Sequence, residues 1–256
     1  MVTSNTRPRL RDLLKLDDDE LIKQAKETGR ELIRYRYENF TLGIITSSEI
    51  KRLFYEEEYG WLNNSIINSY LFKAWDNLSL SRKNEIGLYN SFFISEDKDF
   101  DSYVFEKRLT ILPVHTGDHW LVFIIDATNF NPPNNPHVKI KIFDSIRRRG
   151  EGGYSEYLNP LFTKLENNYS QYRTGCAYPI IKSEIVVSCG QQRGGVDCGV
   201  FAIMFSICNM NYCEWEKVSQ SKIKEYRRTI AVDLLRDQFS SSKLNEITSD
   251  VIDLTL

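Results

Sequence analysis

At 256 residues, with a formal net charge of −2, 41% hydrophobic and 27% charged residues, the chain has the make-up of a globular protein with room for a sizeable core. The balanced charge argues against a nucleic-acid binder, which carries a basic excess, and no apolar run reaches the roughly 18 residues that a membrane-spanning helix needs. Cys176, Cys189, Cys198, Cys208 and Cys213 form no Cys-x-x-Cys, and His115, His119 and His137 complete no zinc spacing, so no metal site and no cofactor are expected and the odd cysteine count fits a reducing compartment.

In chain order, residues 1–16 are polar, with no hydrophobic segment behind Met1 to Arg11, so no secretory signal is expected. Asp17-Asp18-Asp19-Glu20 ahead of Leu21, Ile22, Ala25, Leu32 and Ile33 predicts an N-cap, an acidic first turn and an amphipathic helix to about Arg36, docked on the main domain. Thr46-Ser47-Ser48-Glu49 before Ile50 and Leu53 starts a second helix. After Tyr59-Gly60, Trp61 to about Trp75 predicts a third. The period then changes. Residues 109–114 form a strand, and 119–126 are apolar on both faces, as a central strand would be. Residues 138–144 alternate. The Asn/Pro-rich segment 127–137 must be a loop, which makes the last two strands a hairpin with a long connection. Ile185-Val186-Val187 is a further short strand, a long helix follows near Ser221 to Phe239, and 240–256 read as a tail with little core.

The chemistry concentrates at Gly190-Gln191-Gln192-Arg193-Gly194-Gly195-Val196-Asp197-Cys198-Gly199. The apolar run from Val200 to Ile207 places Cys198 at a helix N-terminus, where the positive end of the macrodipole favours a thiolate. Gln192 can loop back as a donor to an oxyanion. A nucleophile needs a base, and His119, opening a central strand, is the best-held histidine. The base needs a carboxylate. Asp126 lies on the same strand at an odd offset, so it points to the opposite face about 23 Å away. Asp144 ends the neighbouring strand, and an antiparallel hairpin returns that end beside His119. Cys189, Cys208 and Cys213 read as small core hydrophobes.

These residues resemble a known family. Gln192-Arg193-Gly194-Gly195-Val196-Asp197-Cys198-Gly199 is similar to the Q-x-x-G-x-D-C-G motif of the SUMO-specific cysteine proteases of the Ulp/SENP type. Trp61-Leu62-Asn63-Asn64-Ser65-Ile66-Ile67 resembles its W-L-N-D-x-I-I helix and Asn90-Ser91-Phe92-Phe93 its N-S-F-F segment. His119-Trp120, Phe143-Asp144-Ser145 and Glu225-Tyr226-Arg227-Arg228 resemble its His-Trp pair, aspartate strand and arginine-bearing C-terminal helix, all in order over roughly 43–239. The resemblance implies an α+β fold of the papain-like, adenain-like cysteine-protease type, a central mixed sheet flanked by helices. It implies an N-terminal extension with an amphipathic helix over 1–42, a catalytic domain over 43–239 and a tail over 240–256. Carried over residue by residue, Cys198 is the nucleophile, His119 the base, Asp144 its orienting group and Gln192 the oxyanion donor. Trp61 and Trp120 would flank a narrow tunnel for a Gly-Gly tail, where any side chain would clash.

One position departs from the family: its modifier-contacting aspartate is Asn64 here, which removes a possible ion pair. Arg147-Arg148-Arg149 reads as a solvated basic loop. Val251, Ile252, Asp253 and Leu254, after Ser249-Asp250, resemble a SUMO-interacting motif that adds as a strand to a partner's sheet edge. The implied activity is isopeptidase or endopeptidase cleavage after the Gly-Gly of SUMO, with SUMO or SUMO conjugates as partners and ubiquitin or NEDD8 as alternatives. An acetyltransferase with the same His-Asp-Cys core is a further alternative, disfavoured by the two tryptophans, and so is a non-catalytic SUMO binder. The protein is expected to act as a monomer in the nucleus or cytoplasm, or in a host cell if delivered as an effector.

Overall fold

The apolar run at 120–126 lies in the middle of a five-stranded sheet, and its two faces define the two halves of the core. The computed structural model describes residues 17, 19–21, 23, 33–37, 40–54, 60–100, 104–130, 136–146, 153–172 and 180–235. In order, these form strands β1 (Ile33–Tyr37) and β2 (Phe40–Ile45), helices α1 (Ser47–Arg52), α2 (Asn64–Asp76) and α3 (Leu80–Glu85), and strands β3 (Ile86–Leu88), β4 (Leu109–His115), β5 (Trp120–Asp126) and β6 (His137–Asp144). Helix α4 (Ser155–Tyr172), strand β7 (Ile181–Val186) and helices α5 (Cys198–Asn211) and α6 (Ile223–Leu235) complete them.

The sheet order is β3-β4-β5-β6-β7. The outer pairs are parallel and the two inner pairs antiparallel, which makes the sheet mixed. Side chains alternate along a strand. Trp120, Val122 and Ile124 therefore join Leu109, Ile111 and Phe143 on one face, covered by α5 and α2. Leu121, Phe123 and Ile125 join Val114, Val138, Ile140 and Ile142 on the other, covered by Leu158, Leu161 and Leu165 of α4. Every residue of α5 from Cys198 to Met210 is buried, as expected of a helix that is apolar all round. Burying a side chain such as Phe201 or Phe205 contributes about 1.5–3 kcal/mol. Pro113 is tolerated inside β4 because the β3 pairing stops at Ile111, so its missing N–H costs no ladder bond on that side.

Strands β4 to β7 and the Trp61 and Cys198 helices match the sequence expectation within a few residues. The N-terminal helix does not extend to Arg36: residues 33–37 form β1, paired antiparallel with β2. Ile33-Arg34-Tyr35-Arg36-Tyr37 alternates apolar and charged residues with β-branched and aromatic types, and that period of two prevails over the helical reading. Residues 19–21 and 23 are helical, and Leu21 is fully buried against Val232 of α6, so this segment docks on the main domain. The expected boundary at 42/43 falls inside β2. Strands β2 and β3 and helices α3 and α4 are additional to the expected elements, and the C-terminal helix is described to Leu235. Among the described residues no helix is long and apolar enough to cross a membrane.

Candidate active site

The capping box at the start of α1 is where the site's first wall begins. Glu49 accepts the Thr46 N–H at 2.6 Å and its other oxygen accepts Asn63 Nδ2 at 2.6 Å. Asn63 in turn caps α2, its Oδ1 accepting the Ile66 N–H at 3.1 Å. This pins the segment 61–63. Trp61 is exposed and Leu62 buried. A Cβ added to Gly199 would stand 2.9 Å from Leu62 Cβ, so only glycine after Cys198 lets Leu62 approach this closely. The indole N–H of Trp120 donates to the Leu62 carbonyl at 2.9 Å. Trp120 is thus a buried brace, with the His115 ring at 4.6 Å from its own, and Trp61 is the solvent-facing wall. Asn64 is the first residue of α2, half-buried. Its neutral amide lacks the charge that a carboxylate would bring to a helix N-terminus.

Cys198, His119 and Asp144 are all buried. Asp144 pairs in register with Leu121, two residues beyond His119 and of the same parity. The hairpin therefore delivers the carboxylate to the imidazole, and His119 Nε2 lies 2.7 Å from Asp144 Oδ1. Asp144 is fully engaged: Oδ1 also accepts the Ile146 N–H at 2.8 Å and Oδ2 accepts the Tyr154 hydroxyl at 2.8 Å. Burial opposes protonation of His119. It is outweighed by the hydrogen bond to Asp144, by the nearby Cys198 and by their charges, so the His119 pKa is pushed up to about 9. With Nε2 taken by Asp144, Nδ1 is the nitrogen left to serve the sulfur. Asp126 lies at the other end of β5, paired with Lys141 at 2.7 Å. His137 contacts Ser183 at 2.9 Å, away from the triad.

Gln192 is tied to the strand that carries Asp144. Its N–H donates to Ser145 O at 2.8 Å, and the Ser145 hydroxyl donates to Gln192 Oε1 at 2.7 Å. The amide thereby turns its NH2 end outward, with one bond to the Gly194 carbonyl and a second hydrogen to give. Gln191 Nε2 donates to Asp144 O at 2.9 Å. Among the described residues no cluster of His, Cys, Asp and Glu could hold a metal. Arg147-Arg148-Arg149 and the motif at 251–254 lie outside the described residues.

Three contributors escaped the sequence reading: Tyr154, Ser145 as a partner of Gln192, and Arg227 as a partner of Asp197. An Arg following an apolar helix stripe is the only local signal among them, and it does not name its partner.

The same fold is found in known proteins. Solved structures of the SUMO protease Ulp1 with an oxidised catalytic cysteine (TM-score 0.61, 20% identity, covering 87% of this chain and 96% of that one) share the fold. So does a Chaetomium thermophilum Ulp1-like SUMO protease catalytic domain (TM-score 0.60, 15% identity, covering 88% and 91%). A sentrin-specific protease of Caenorhabditis elegans is 25% identical over 193 residues, covering 68% of this chain. The chain spans about a quarter of that relative's length, 25%. The family model of the Ulp1 protease C-terminal catalytic domain matches residues 62–238, a stretch that runs from Leu62 through His119, Asp144 and Cys198 to α6. The chain belongs to the Ulp1 protease family.

Proposed function

We propose that this protein is a cysteine protease that cleaves after the C-terminal Gly-Gly of SUMO, as an isopeptidase on conjugates or an endopeptidase on precursors. The observation that carries the reading is the buried line Cys198, His119, Asp144 at the mouth of α5, with the Trp61-Leu62 segment laid against Gly199. The Cys198 thiolate attacks the scissile carbonyl carbon. The resulting oxyanion takes the Cys198 N–H and the Gln192 NH2, and loss of one such donor costs about 10²–10³-fold in rate. His119 gives its Nδ1 proton to the leaving lysine amine as the carbon–nitrogen bond breaks, leaving a thioester on Cys198. Neutral His119 then takes a proton from water, whose oxygen attacks the thioester and releases the Gly-Gly carboxylate with the thiol restored. No step calls for a metal or a cofactor.

Family membership and the tryptophan pair support the SUMO reading, and the Ulp1 catalytic domain has been solved in complex with the yeast SUMO orthologue. Asn64 favours ubiquitin or NEDD8 as the second reading, because the acidic contact is missing. We take the segment 251–254 as a SUMO-binding strand, and the odd cysteine count with no Cys-x-x-Cys supports action in a reducing compartment, nucleus or cytoplasm.

C-terminal electrophile probes of SUMO, ubiquitin and NEDD8, compared side by side on the full chain, test the substrate. Preferential SUMO labelling at Cys198 is expected, and preferential ubiquitin labelling would overturn it. Cys198→Ala should lose turnover and keep modifier binding; full activity in that variant would end the thiol-protease reading. Val251→Ala with Ile252→Ala should weaken binding of SUMO conjugates while leaving cleavage of a monomeric SUMO–fluorophore substrate intact.

A further inference from the structure

Aspartate is a preferred N-cap because its carboxylate accepts the backbone N–H groups of the first turn. Asp197 holds that position in α5 and makes no such cap, its backbone lying at φ −93°, ψ −6°. Its carboxylate is turned instead to Arg227 of α6, which is buried. Arg227 Nε and Nη2 donate to Asp197 Oδ1 at 3.0 and 2.9 Å, and Nη2 also donates to Val196 O at 2.9 Å. Nη1 donates to the carbonyls of Arg52 and Gly60 at 3.1 and 3.0 Å. These five bonds equal the donor capacity of a guanidinium. The other carboxylate oxygen, Oδ2, accepts Gln220 Nε2 at 2.8 Å, and Gln220 Oε1 accepts the Arg193 N–H at 2.9 Å. One buried ion pair therefore touches the residue before the nucleophile, the residue before Trp61 and, through Gln220, the residue after Gln192.

We propose that Arg227 is a positioning residue: it holds the Asp197 carboxylate off the mouth of α5, so that no second negative charge stands beside the Cys198 N–H where the reacting carbonyl oxygen becomes an oxyanion, and it anchors Gly60 beneath the Trp61 wall. This rests on the thiol-protease reading. Released from Arg227, the carboxylate is one residue from Cys198 and free to cap the first turn of α5. Such a cap takes the Gly199 or Val200 N–H and would set a negative charge beside both the thiolate and the oxyanion. Lysine keeps the charge and lacks the planar fork that reaches two carbonyls and a carboxylate together.

The test compares wild type, Arg227→Lys, Arg227→Ala and Arg227→Ala/Asp197→Ala in the full chain. The readouts are melting, kcat and KM on SUMO bearing a C-terminal fluorophore, and the pH profile of Cys198 alkylation by iodoacetamide. Arg227→Lys should melt cooperatively, keep KM within about threefold and lose about 100-fold in kcat, with a displaced alkylation profile. Removing the freed carboxylate should restore kcat of the double variant at least about tenfold over Arg227→Ala. A folded Arg227→Lys with wild-type kcat and alkylation profile overturns the proposal, as does a kcat loss that only follows the unfolded fraction. Should the arginine variants not fold, Gln220→Ala keeps the ion pair and decides the question. A fall of about fivefold in kcat at unchanged KM supports the network, and no change refutes it. If the SUMO probe leaves wild type unlabelled while Arg227→Lys still displaces the alkylation profile, the substrate reading fails and the positioning role stands.

Discussion

His119 has Asp144 on Nε2 and Cys198 nearby, and its titration follows from both. Its pKa of about 9 keeps it protonated at neutral pH despite burial. In the proposed mechanism the imidazolium gives its proton to the leaving amine, so kcat/KM should fall as pH rises through about 9. The contribution to stability has the same direction. A histidine whose folded pKa is raised stabilises the fold fully below its unfolded pKa, about 6.5, and that stability is lost as pH rises through the folded value. Asp144→Asn removes the carboxylate that raises the pKa, so the alkaline limb should move down toward neutrality with kcat reduced. A limb that stays near pH 9 in Asp144→Asn would show that Asp144 does not set the His119 titration. Tyr154 and the Ile146 N–H keep the carboxylate oriented, and nothing in the sequence around Tyr154 marks it for that contact.

Between elements, the decisive contact is the crossing of the 61–63 segment over the first turn of α5. Gly199 has Leu62 Cβ at 2.9 Å and Ile67 Cδ1 at 3.2 Å from the place where a Cβ would stand. Leu62 is held by the Trp120 indole through its carbonyl, so it has little room to withdraw. Gly199→Ala gains up to about 1 kcal/mol of helix propensity and incurs an overpacking cost of about 1–3 kcal/mol. The net expectation is modest destabilisation with a larger loss in kcat, because the displaced wall is the one beside Cys198. Denaturant unfolding and steady-state kinetics check both, and wild-type kcat in a folded Gly199→Ala would show that the close approach has no catalytic role. Gly190 is more constrained: a Cβ there would stand 1.9 Å from the Val218 carbonyl, which fixes the path of the chain into Gln191 and Gln192.

For the whole molecule, the described N-terminal residues 19–21, 33–37 and 40–45 are part of the packed body. Leu21 is fully buried on Val232, and β1 pairs with β2, which lies against α2. Removing residues 1–42 should lower the melting temperature by about 5–10 °C, given roughly 2–4 °C per kcal/mol at this size, and an unchanged melting temperature would make it a mere appendage. Cys198, His119 and Asp144 were legible because each depends on a short-range rule: an apolar run after the cysteine, a strand apolar on both faces, and hairpin parity that brings Asp144 to His119. The segment 33–37 misled because Leu32 and Ile33 fit a helical stripe as well as a strand, and local periodicity does not say which partner will pair with it. Helix α4 carries leucines at 158, 161 and 165, a legible spacing, interrupted by Pro160. The sequence alone therefore sufficed for the family, the mixed α+β architecture, and the placing of Cys198 at a helix start and of Asp144 beside His119. Tertiary structure was needed for what aims them: the Leu62–Gly199 contact, Tyr154 on Asp144, and Arg227 reaching Asp197 across 30 residues and Gly60 across 167. A buried guanidinium finds its acceptors through the packing of whole helices, and no window of sequence contains that distance.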